Sequence, residues 1–487
     1  MLKPSLSEVR EYAKSGEYKV LPVSTELLSD FITPVEVMRI LKNISGHCYM
    51  LESVASNEQW GRYTFLGYAP ELELTCVNGQ MKVGNMRFET KDPGQQIRQL
   101  LSEYKSPVLP GLPPFTGGLV GYFAYDYIRY AEPELALNAK DSEGFNDVDL
   151  MLFNRVIAFD NFRQKIVLIV NIRLDNAEVE YNRAERELRQ MSELLHSGQP
   201  KKDLGGRLKS EVTPCFTLEE YCEIVEKAKH YIREGDIFQV VPSNRLEAEF
   251  EGSLFNTYRV LRTLNPSPYM FYFSGENIEV AGASPETLVK LEHGILHTFP
   301  IAGSRPRGAS PEEDEALERE LLADPKERAE HNMLVDLGRN DLGRISKFGT
   351  VDVEEYMSVL RFSHIMHIGS SVRGELREDM DALDAIAAVL PAGTLSGAPK
   401  IRACEIINEL ERNKRGIYGG AIGYIDFTGN MDTCIAIRIA YKVANKVYVR
   451  SGGGVVADSV PETEYQETIN KAAAVVKALK LAQEEDL

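Results

Sequence analysis

Short apolar runs and amphipathic stretches succeed one another along this chain without a fixed order. ELELTCV (71–77) and KIVLIVNI (165–172) predict strands, as do FQVVPSNRLEAEF (238–250) and RFSHIMHIGSSVRG (361–374). EVEYNRAERELRQMSELL (178–195) and LEEYCEIVEKAKHYIREG (218–235) bring apolar residues back at helical spacing. The uneven succession predicts an α+β or layered α/β body, not a doubly wound βαβ repeat. SGQPKKDLGGRLKSEVTP (197–214) has no hydrophobic period and several breakers, and reads as a linker between an N-terminal lobe, 1–196, and a second domain, 215–487. No internal repeat is visible, and PEEDEALERE (311–320) reads as a solvated face.

Two predicted helices carry carboxylates where the pattern does not want them. In DPKERAEHNMLVDLGRND (324–341), Asp324 suits the N-cap, Pro325 the first helical position and Glu327 a capping box. Ala329, Met333, Leu334 and Leu337 form an apolar stripe, and Glu330 points along it, where an unpaired carboxylate is costly. SVPETEYQETINKAAAVVKAL (459–479) repeats the pattern with Ser459 as cap, Pro461 in the first turn and Glu462 in the capping-box position. Glu464 and Glu467 stand three residues apart, as do Glu327 and Glu330, so each pair is self-repelling. A hard cation with oxygen ligands explains both pairs, and so does the helix dipole acting on first-turn glutamates.

Composition narrows the partners. With 487 residues the chain has room for two or three domains, and 55 basic against 73 acidic residues leave a net charge of −18. That balance argues against nucleic acid or an anionic membrane as a general partner. The N-terminus lacks the apolar core of a signal peptide, and no run approaches the ~20 apolar residues of a membrane span. Six scattered cysteines without CxxC or Cys/His pairing read as reduced thiols in a cytoplasmic protein.

Against this acidic background, four glycine-rich turns fall within residues 298–459: TFPIAGSRPRG (298–308), PAGTLSGAPK (391–400), IYGGAIGYIDFTG (417–429) and RSGGGVVADS (450–459). Turns poor in side chains let backbone amides approach an anion, although a single glycine loop is usually only a turn. None is a Walker loop or a GxGxxG that opens a helix. Together with Arg305 and Arg438 they suggest a small polyanion held by backbone, arginine and a metal. His364 and His367, three apart on a predicted strand, fall on opposite faces and are unsuited to share a metal.

The strings GDIFQVVPS, NPSPYMFY, GASPE, PIAGSRPRG, EHNMLVDLGRNDLGR, PAGTLSGAPK, YGGAIGY and GGGVVADSVPETEYQET, in this order over nearly the whole chain, resemble the chorismate-utilising enzymes and, within them, the anthranilate synthase component I family. The resemblance implies a fold of large antiparallel sheets packed face to face with helices outside. It also implies a Mg²⁺-dependent lyase that turns chorismate and ammonia into anthranilate and pyruvate, the first step of tryptophan biosynthesis. By position it makes Glu330 and Glu467 the magnesium ligands, with Glu327 and Glu464 as neighbouring acidic groups. Gly303, Ser304, Tyr418, Arg438 and the amides of Gly452, Gly453 and Gly454 become chorismate contacts. Glu286 becomes the general acid for the C4 hydroxyl, and His367 and Thr394 active-site groups, His367 the candidate for the proton lost in the elimination. Where the family commonly has threonine, this chain has Ser304.

Two positions discriminate among the relatives. Aminodeoxychorismate synthases typically place a nucleophilic lysine where this chain has Ala302, and isochorismate and salicylate synthases a lysine base where it has Gln239. Both substitutions point to direct attack by ammonia. No cysteine sits in a nucleophile elbow, so the resemblance implies a separate glutamine amidotransferase subunit, component II, in a heterotetramer of two of each. MLES (50–53), GRYTFLG (61–67) and PSPYM (266–270) resemble a feedback site for L-tryptophan, carrying over to Ser53, Pro268, Tyr269 and Met270, with Trp60 a possible reporter. The alternatives are aminodeoxychorismate synthase component I and a non-catalytic tryptophan sensor.

Overall fold

The structure is a computed structural model that describes residues 2–53, 61–202, 205–361 and 365–483. Trp60 and His364 lie outside the described residues.

Two twelve-stranded sheets dominate, and their ladders are antiparallel. The first runs Val20–Leu28, Lys165–Arg173, Arg155–Asp160, Tyr63–Tyr68, Cys48–Glu52, Tyr269–Ser274, Ile278–Ser284, Ile439–Val443, Lys446–Gly452, Ser243–Gly252 and Gly206–Leu208, with Thr213–Pro214 also on Ser243–Gly252. The second runs Ile301–Pro306, Ile365–Glu375, Ile295–Thr298, Thr287–Glu292, Met431–Ile435, Ala421–Asp426, Gly118–Phe123, Val148–Phe153, Leu72–Val77, Gln80–Val83 and Met86–Glu89, with Asp352–Arg361 also on Ile365–Glu375.

Both sheets draw strands from either side of residues 197–214. Cys48–Glu52 pairs with Tyr269–Ser274, and Gly118–Phe123 with Ala421–Asp426. The stretch read as a linker is itself partly strand: Gly206–Leu208 and Thr213–Pro214 pair with Ser243–Gly252. Their partner's backbone, not an apolar pattern of their own, holds them extended.

Tyr49, Phe65, Val167 and Phe271 of the first sheet meet Tyr122, Met151, Phe153 and Ile422 of the second in one buried aromatic-rich layer. The outer face of the first sheet is covered by helices Pro34–Ile44, Ala177–Ser197, Phe255–Leu264 and Pro461–Leu481. The outer face of the second carries Pro93–Ser102, Ala382–Val389 and Pro325–Gly343. A strand between sheet and helices is dry on both faces, which is why KIVLIVNI is apolar throughout: Ile166 to Ile172 are all buried. Each large aliphatic side chain buried there contributes about 1.5–3 kcal/mol.

The two acidic helices form as expected but differ in their caps and faces. Asp324 caps Pro325–Gly343 by accepting from the amides of Lys326 and Glu327. Glu327 turns away from the cap toward Arg305, whose Nη1 lies 3.5 Å from it. The buried stripe is His331, Leu334, Val335, Asp341 and Leu342, whereas Ala329 is exposed and Glu330 lies on the open side. Pro461–Leu481 has Val460 at its N-cap, not Ser459. Ser459 instead folds back, its hydroxyl accepting from the Val456 amide at 3.1 Å. PEEDEALERE forms part of helix Pro311–Ala323, and Asp314 on it is buried, accepting 2.8 Å bonds from Arg307 Nε and the Gly308 amide.

Candidate active site

The opening turn TFPIAGSRPRG is a bulge. Strand Ile301–Pro306 pairs with Ile365–Glu375, but the register shifts between Ala302 and Arg305, leaving Gly303 and Ser304 opposite His367. Gly303 has φ +65, and a Cβ there would lie 3.0 Å from a Glu327 oxygen. Bulges of this kind re-aim side chains next to active sites. Here the bulge turns the Gly303 carbonyl onto His367 Nδ1 at 2.7 Å. A carbonyl only accepts, so Nδ1 carries the proton and the lone pair of the neutral ring is on Nε2. Burial, the largest influence on His367, lowers its pKa and favours that neutral ring.

Arg305 does not offer its charge to a ligand. It is held by Glu320 at 2.9 Å, Asp324 at 3.0 Å and Glu327 at 3.5 Å, and so ties the bulge to helices Pro311–Ala323 and Pro325–Gly343. Ser304 is exposed, and its carbonyl accepts from Arg305 Nη1 at 2.9 Å. Ala302 is buried and pairs with Ile368.

Glu286 lies between strands Ile278–Ser284 and Thr287–Glu292, at the edge of a small cavity with Thr298, Asp341, Gly393 and Thr394. Its carboxyl accepts from Thr394 Oγ1 at 3.1 Å, and its backbone carbonyl from the Ile435 amide at 2.9 Å. Burial pushes the carboxyl up to about 7, against the opposing pull of the Thr394 hydroxyl, Arg438 and Lys471. Arg438 holds a left-handed φ of +52, a conformation that costs a non-glycine residue on the order of 1 kcal/mol. Thus the acid, Thr394 and Arg438 form one electrostatic unit.

The second acidic helix meets the glycine turn. A Cβ on Gly453 would lie 3.1 Å from Glu464 Oε2 and 3.3 Å from Glu467 Oε1, so the side-chain-free backbone is what lets the carboxylates come this close. Glu464 is buried and its Oε2 has no hydrogen-bond partner. Glu467 is held by Lys471 at 2.6 Å, and Lys471 also donates to the Gly452 carbonyl at 3.1 Å. Although Glu330 as a residue is exposed, the protein around its carboxyl displaces enough water that this partial burial, then Glu327 and Glu467, raises it. Burial likewise leads in raising Glu464, followed among the raising influences by Glu467. Glu467, on the other helix, thus adds to the negative charge that the Glu330 carboxyl meets. Gly454 packs against the buried Gln239 side chain.

Among the described residues, no group of three or more His, Cys, Asp or Glu side chains is placed to hold a metal unaided. Magnesium is commonly bound by one or two carboxylates and completes its shell with waters and substrate oxygens, so Glu330 and Glu467 are a donor set of the right size. The orphaned buried oxygen of Glu464, and the upward push that Glu467 adds to the Glu330 and Glu464 carboxyls, fit a nearby cation.

Behind these loops lies a network that the sequence did not disclose. Glu411 accepts from Arg415 Nε at 3.0 Å, Arg450 Nη2 at 2.7 Å and the Ser243 amide at 2.7 Å. All four residues are at most 2 % exposed. Arg415 also donates to the carbonyls of Leu395 and Val241, both at 2.6 Å, and lies 5.7 Å from the Tyr418 ring. One carboxylate thereby registers the Thr394 turn, the strand after Gln239, the Gly452 strand and Tyr418. In sequence Glu411 and Arg415 sit in ELERNKRGIY and look like an ordinary helix end, and Arg450 lies far off on a strand.

Ser53, Pro268, Tyr269 and Met270 come together around a second pocket, with Lys290 and Asp432. Glu52 pairs with Met270 across the ladder, and the Ser53 hydroxyl is buried without a partner. Tyr269 donates to Asp432 Oδ1 at 2.8 Å and lies 2.9 Å from Thr287 Oγ1.

Comparison with known proteins agrees with this arrangement. Residues 46–477 match the family of chorismate binding enzymes. The chain is 46% identical to anthranilate synthase component 1 of Acetivibrio thermocellus, over 99% of this chain and 100% of that protein. It is 47% identical to the Acinetobacter calcoaceticus protein of the same name, over 97% of each. The crystal structure of anthranilate synthase component I from Streptococcus pneumoniae superposes with a TM-score of 0.78 at 39% identity, covering 92% of this chain and 98% of that one. The menaquinone-specific isochorismate synthase of Escherichia coli shares the fold at 19% identity and a TM-score of 0.69. Family match, near-complete coverage and the two-sheet architecture converge: the chain belongs to the chorismate-binding enzyme family, in its anthranilate synthase component 1 branch.

Proposed function

We propose that this chain is the synthase subunit that converts chorismate and ammonia to anthranilate and pyruvate, with L-tryptophan as feedback inhibitor. The observation that carries the reading is Glu286: a carboxyl held near 7 beside Thr394 and Arg438 is protonated often enough at neutral pH to act as an acid. In the first stage ammonia adds at C2 of chorismate while Glu286 gives its proton to the C4 hydroxyl, which leaves as water. In the second, His367 Nε2 takes the C2 proton as the enolpyruvyl group leaves, gains a proton at its methylene carbon and becomes pyruvate. The ring is then aromatic.

Gly303, Ser304, Tyr418, Arg438 and the Gly452, Gly453 and Gly454 backbone are the proposed substrate contacts, with Arg438 on the enolpyruvyl carboxylate. Glu330 and Glu467 would hold Mg²⁺, supported by Glu327 and Glu464, and the ion would supply positive charge for the ring carboxylate. Glu411 with its two arginines leaves a net buried positive charge behind Tyr418, which favours an anionic substrate in a protein of net charge −18. Ammonia would come from glutamine through a component II amidotransferase, in a cytoplasmic heterotetramer of two of each subunit. Six free cysteines and the lack, among the described residues, of any helix long and apolar enough to cross a membrane accord with that compartment.

The pocket at Ser53, Pro268, Tyr269 and Met270 takes the inhibitor. Asp432 and Lys290 on its wall carry opposite charges, Lys290 paired at 2.8 Å with Glu292, and an amino-acid zwitterion would place its ammonium toward Asp432 and its carboxylate toward Lys290. Ala302 argues against an aminodeoxychorismate synthase, because a buried alanine offers no nucleophile to the ring. The test is anthranilate fluorescence from the purified chain with chorismate, Mg²⁺ and an ammonium salt at alkaline pH. Metal-dependent fluorescence that falls with L-tryptophan is expected. A non-aromatic amino product would indicate the aminodeoxychorismate reaction, and tryptophan binding without turnover would indicate a sensor.

A further inference from the structure

Thr287 joins the two cavities. It follows Glu286 in the chain, lines the small cavity where that acid sits, and is 5% exposed. Its hydroxyl lies 2.9 Å from Tyr269 Oη, and Tyr269 lines the other pocket. Tyr269 has one hydroxyl proton and donates it to Asp432 Oδ1 2.8 Å away, which in the ionised carboxylate only accepts. Thr287 must therefore donate to Tyr269, giving a directed chain from Thr287 through Tyr269 to Asp432. Such chains strengthen each bond and loosen together when one end is disturbed.

The local backbone is suited to transmit a shift. The ladder between Thr287–Glu292 and Met431–Ile435 changes register between Thr287 and Val289. Glu286 itself is held by its own carbonyl, through the Ile435 amide, and by its carboxyl, through Thr394. Its amide and carbonyl also meet the Ser284 hydroxyl, both at 3.4 Å. Among the described residues Thr394 gives the one hydrogen bond to its carboxyl, so a change at Thr287 acts on a residue fixed chiefly by its backbone.

We propose that Thr287 is the positioning residue through which occupancy of the Ser53–Met270 pocket reaches Glu286: a ligand ammonium that binds Asp432 takes that acceptor from Tyr269, and the released Thr287 bond lets the acid leave its place against Thr394. The inference rests on that pocket being the inhibitor site. It names no new ligand, only the two-hydroxyl link by which the ligand acts.

The test measures coupling instead of activity. Tryptophan affinity is determined by calorimetry on the full chain with Mg²⁺, without chorismate and with saturating chorismate, ammonia being omitted. Because coupling is reciprocal, the ratio of the two affinities measures it. The parent should bind tryptophan at least tenfold more weakly when chorismate is present. Thr287→Val should bind tryptophan within threefold of the parent in the absence of chorismate, with the ratio collapsing toward one. Thr287→Ser, which keeps the hydroxyl, should restore the parental ratio; should the valine variant not fold, Thr287→Ala carries the same comparison. A parental ratio in Thr287→Val overturns the link alone. Loss of tryptophan binding in Thr287→Val also overturns it, by making the hydroxyl part of the binding surface. A parent that binds no tryptophan overturns the pocket reading itself.

Discussion

Removing the Thr394 hydroxyl should move the titration of Glu286 in a known direction. Thr394 Oγ1 donates to the Glu286 carboxyl at 3.1 Å, a bond that stabilises the ionised form and opposes the upward push of burial. A hydrogen bond to a charged group contributes about 1.5–3 kcal/mol, and about 1.4 kcal/mol corresponds to one pK unit. Partial replacement by water in the small cavity keeps the change at the lower end, so in Thr394→Val the acid should titrate about one unit higher than its present value of about 7. An acid must be protonated to act, so kcat/KM falls above its pKa, and the falling limb should move by about one unit to the alkaline side. The assay is anthranilate fluorescence across pH at a fixed concentration of free ammonia, so that ammonia's own titration does not contribute. Thr394→Ser should return the limb to its original place, even if the maximal rate changes. A limb that stays put in Thr394→Val, or moves to the acid side, would refute the assignment of Glu286 as the acid held by Thr394.

The same carboxyl should leave a mark on stability. Its pKa is raised in the folded state, so its contribution is fully present below about 4.5 and is lost as pH rises through about 7; the loss is on the order of 3–4 kcal/mol at most. Urea unfolding of Glu286→Gln should lack the part of that decline seen between pH 5 and 8, and identical pH slopes in parent and variant would contradict the burial. Arg450→Met should cost on the order of 3–5 kcal/mol by thermal or chemical unfolding, because it removes a cation from the fully buried Glu411. Arg189→Met, on an exposed pair with Glu185, should cost less than about 1 kcal/mol, and equal losses would mean that the Glu411 network holds nothing.

The sequence made the candidate active site legible because that site breaks local rules. Glutamates three apart on a helix, a glycine triplet leaving a strand and a turn with two glycines and two prolines have no packing purpose, and the structure brings Glu330, Glu464, Glu467, Gly303 and Gly453 into one region. What lay hidden obeys the rules locally. Arg415 and Arg450 look like surface charges until tertiary contacts bury them around Glu411. Thr287 is an ordinary strand residue whose hydroxyl matters only because a strand from elsewhere places Tyr269 beside it. Ser459 fits the cap pattern, yet Val460 takes the position because the serine closes its own turn onto Val456. Gly206–Leu208 and Thr213–Pro214 have no amphipathic signal, since an edge strand needs only a neighbour's backbone.

The most direct measurement is chorismate binding by calorimetry, without ammonia, in the presence and absence of Mg²⁺. The proposed sharing of one ion between the two acidic helices and a dicarboxylate predicts substrate binding at least tenfold tighter with the metal, and Glu330→Gln should erase most of that gain. Chorismate affinity unchanged by the metal, or a full gain retained in Glu330→Gln, would contradict the account.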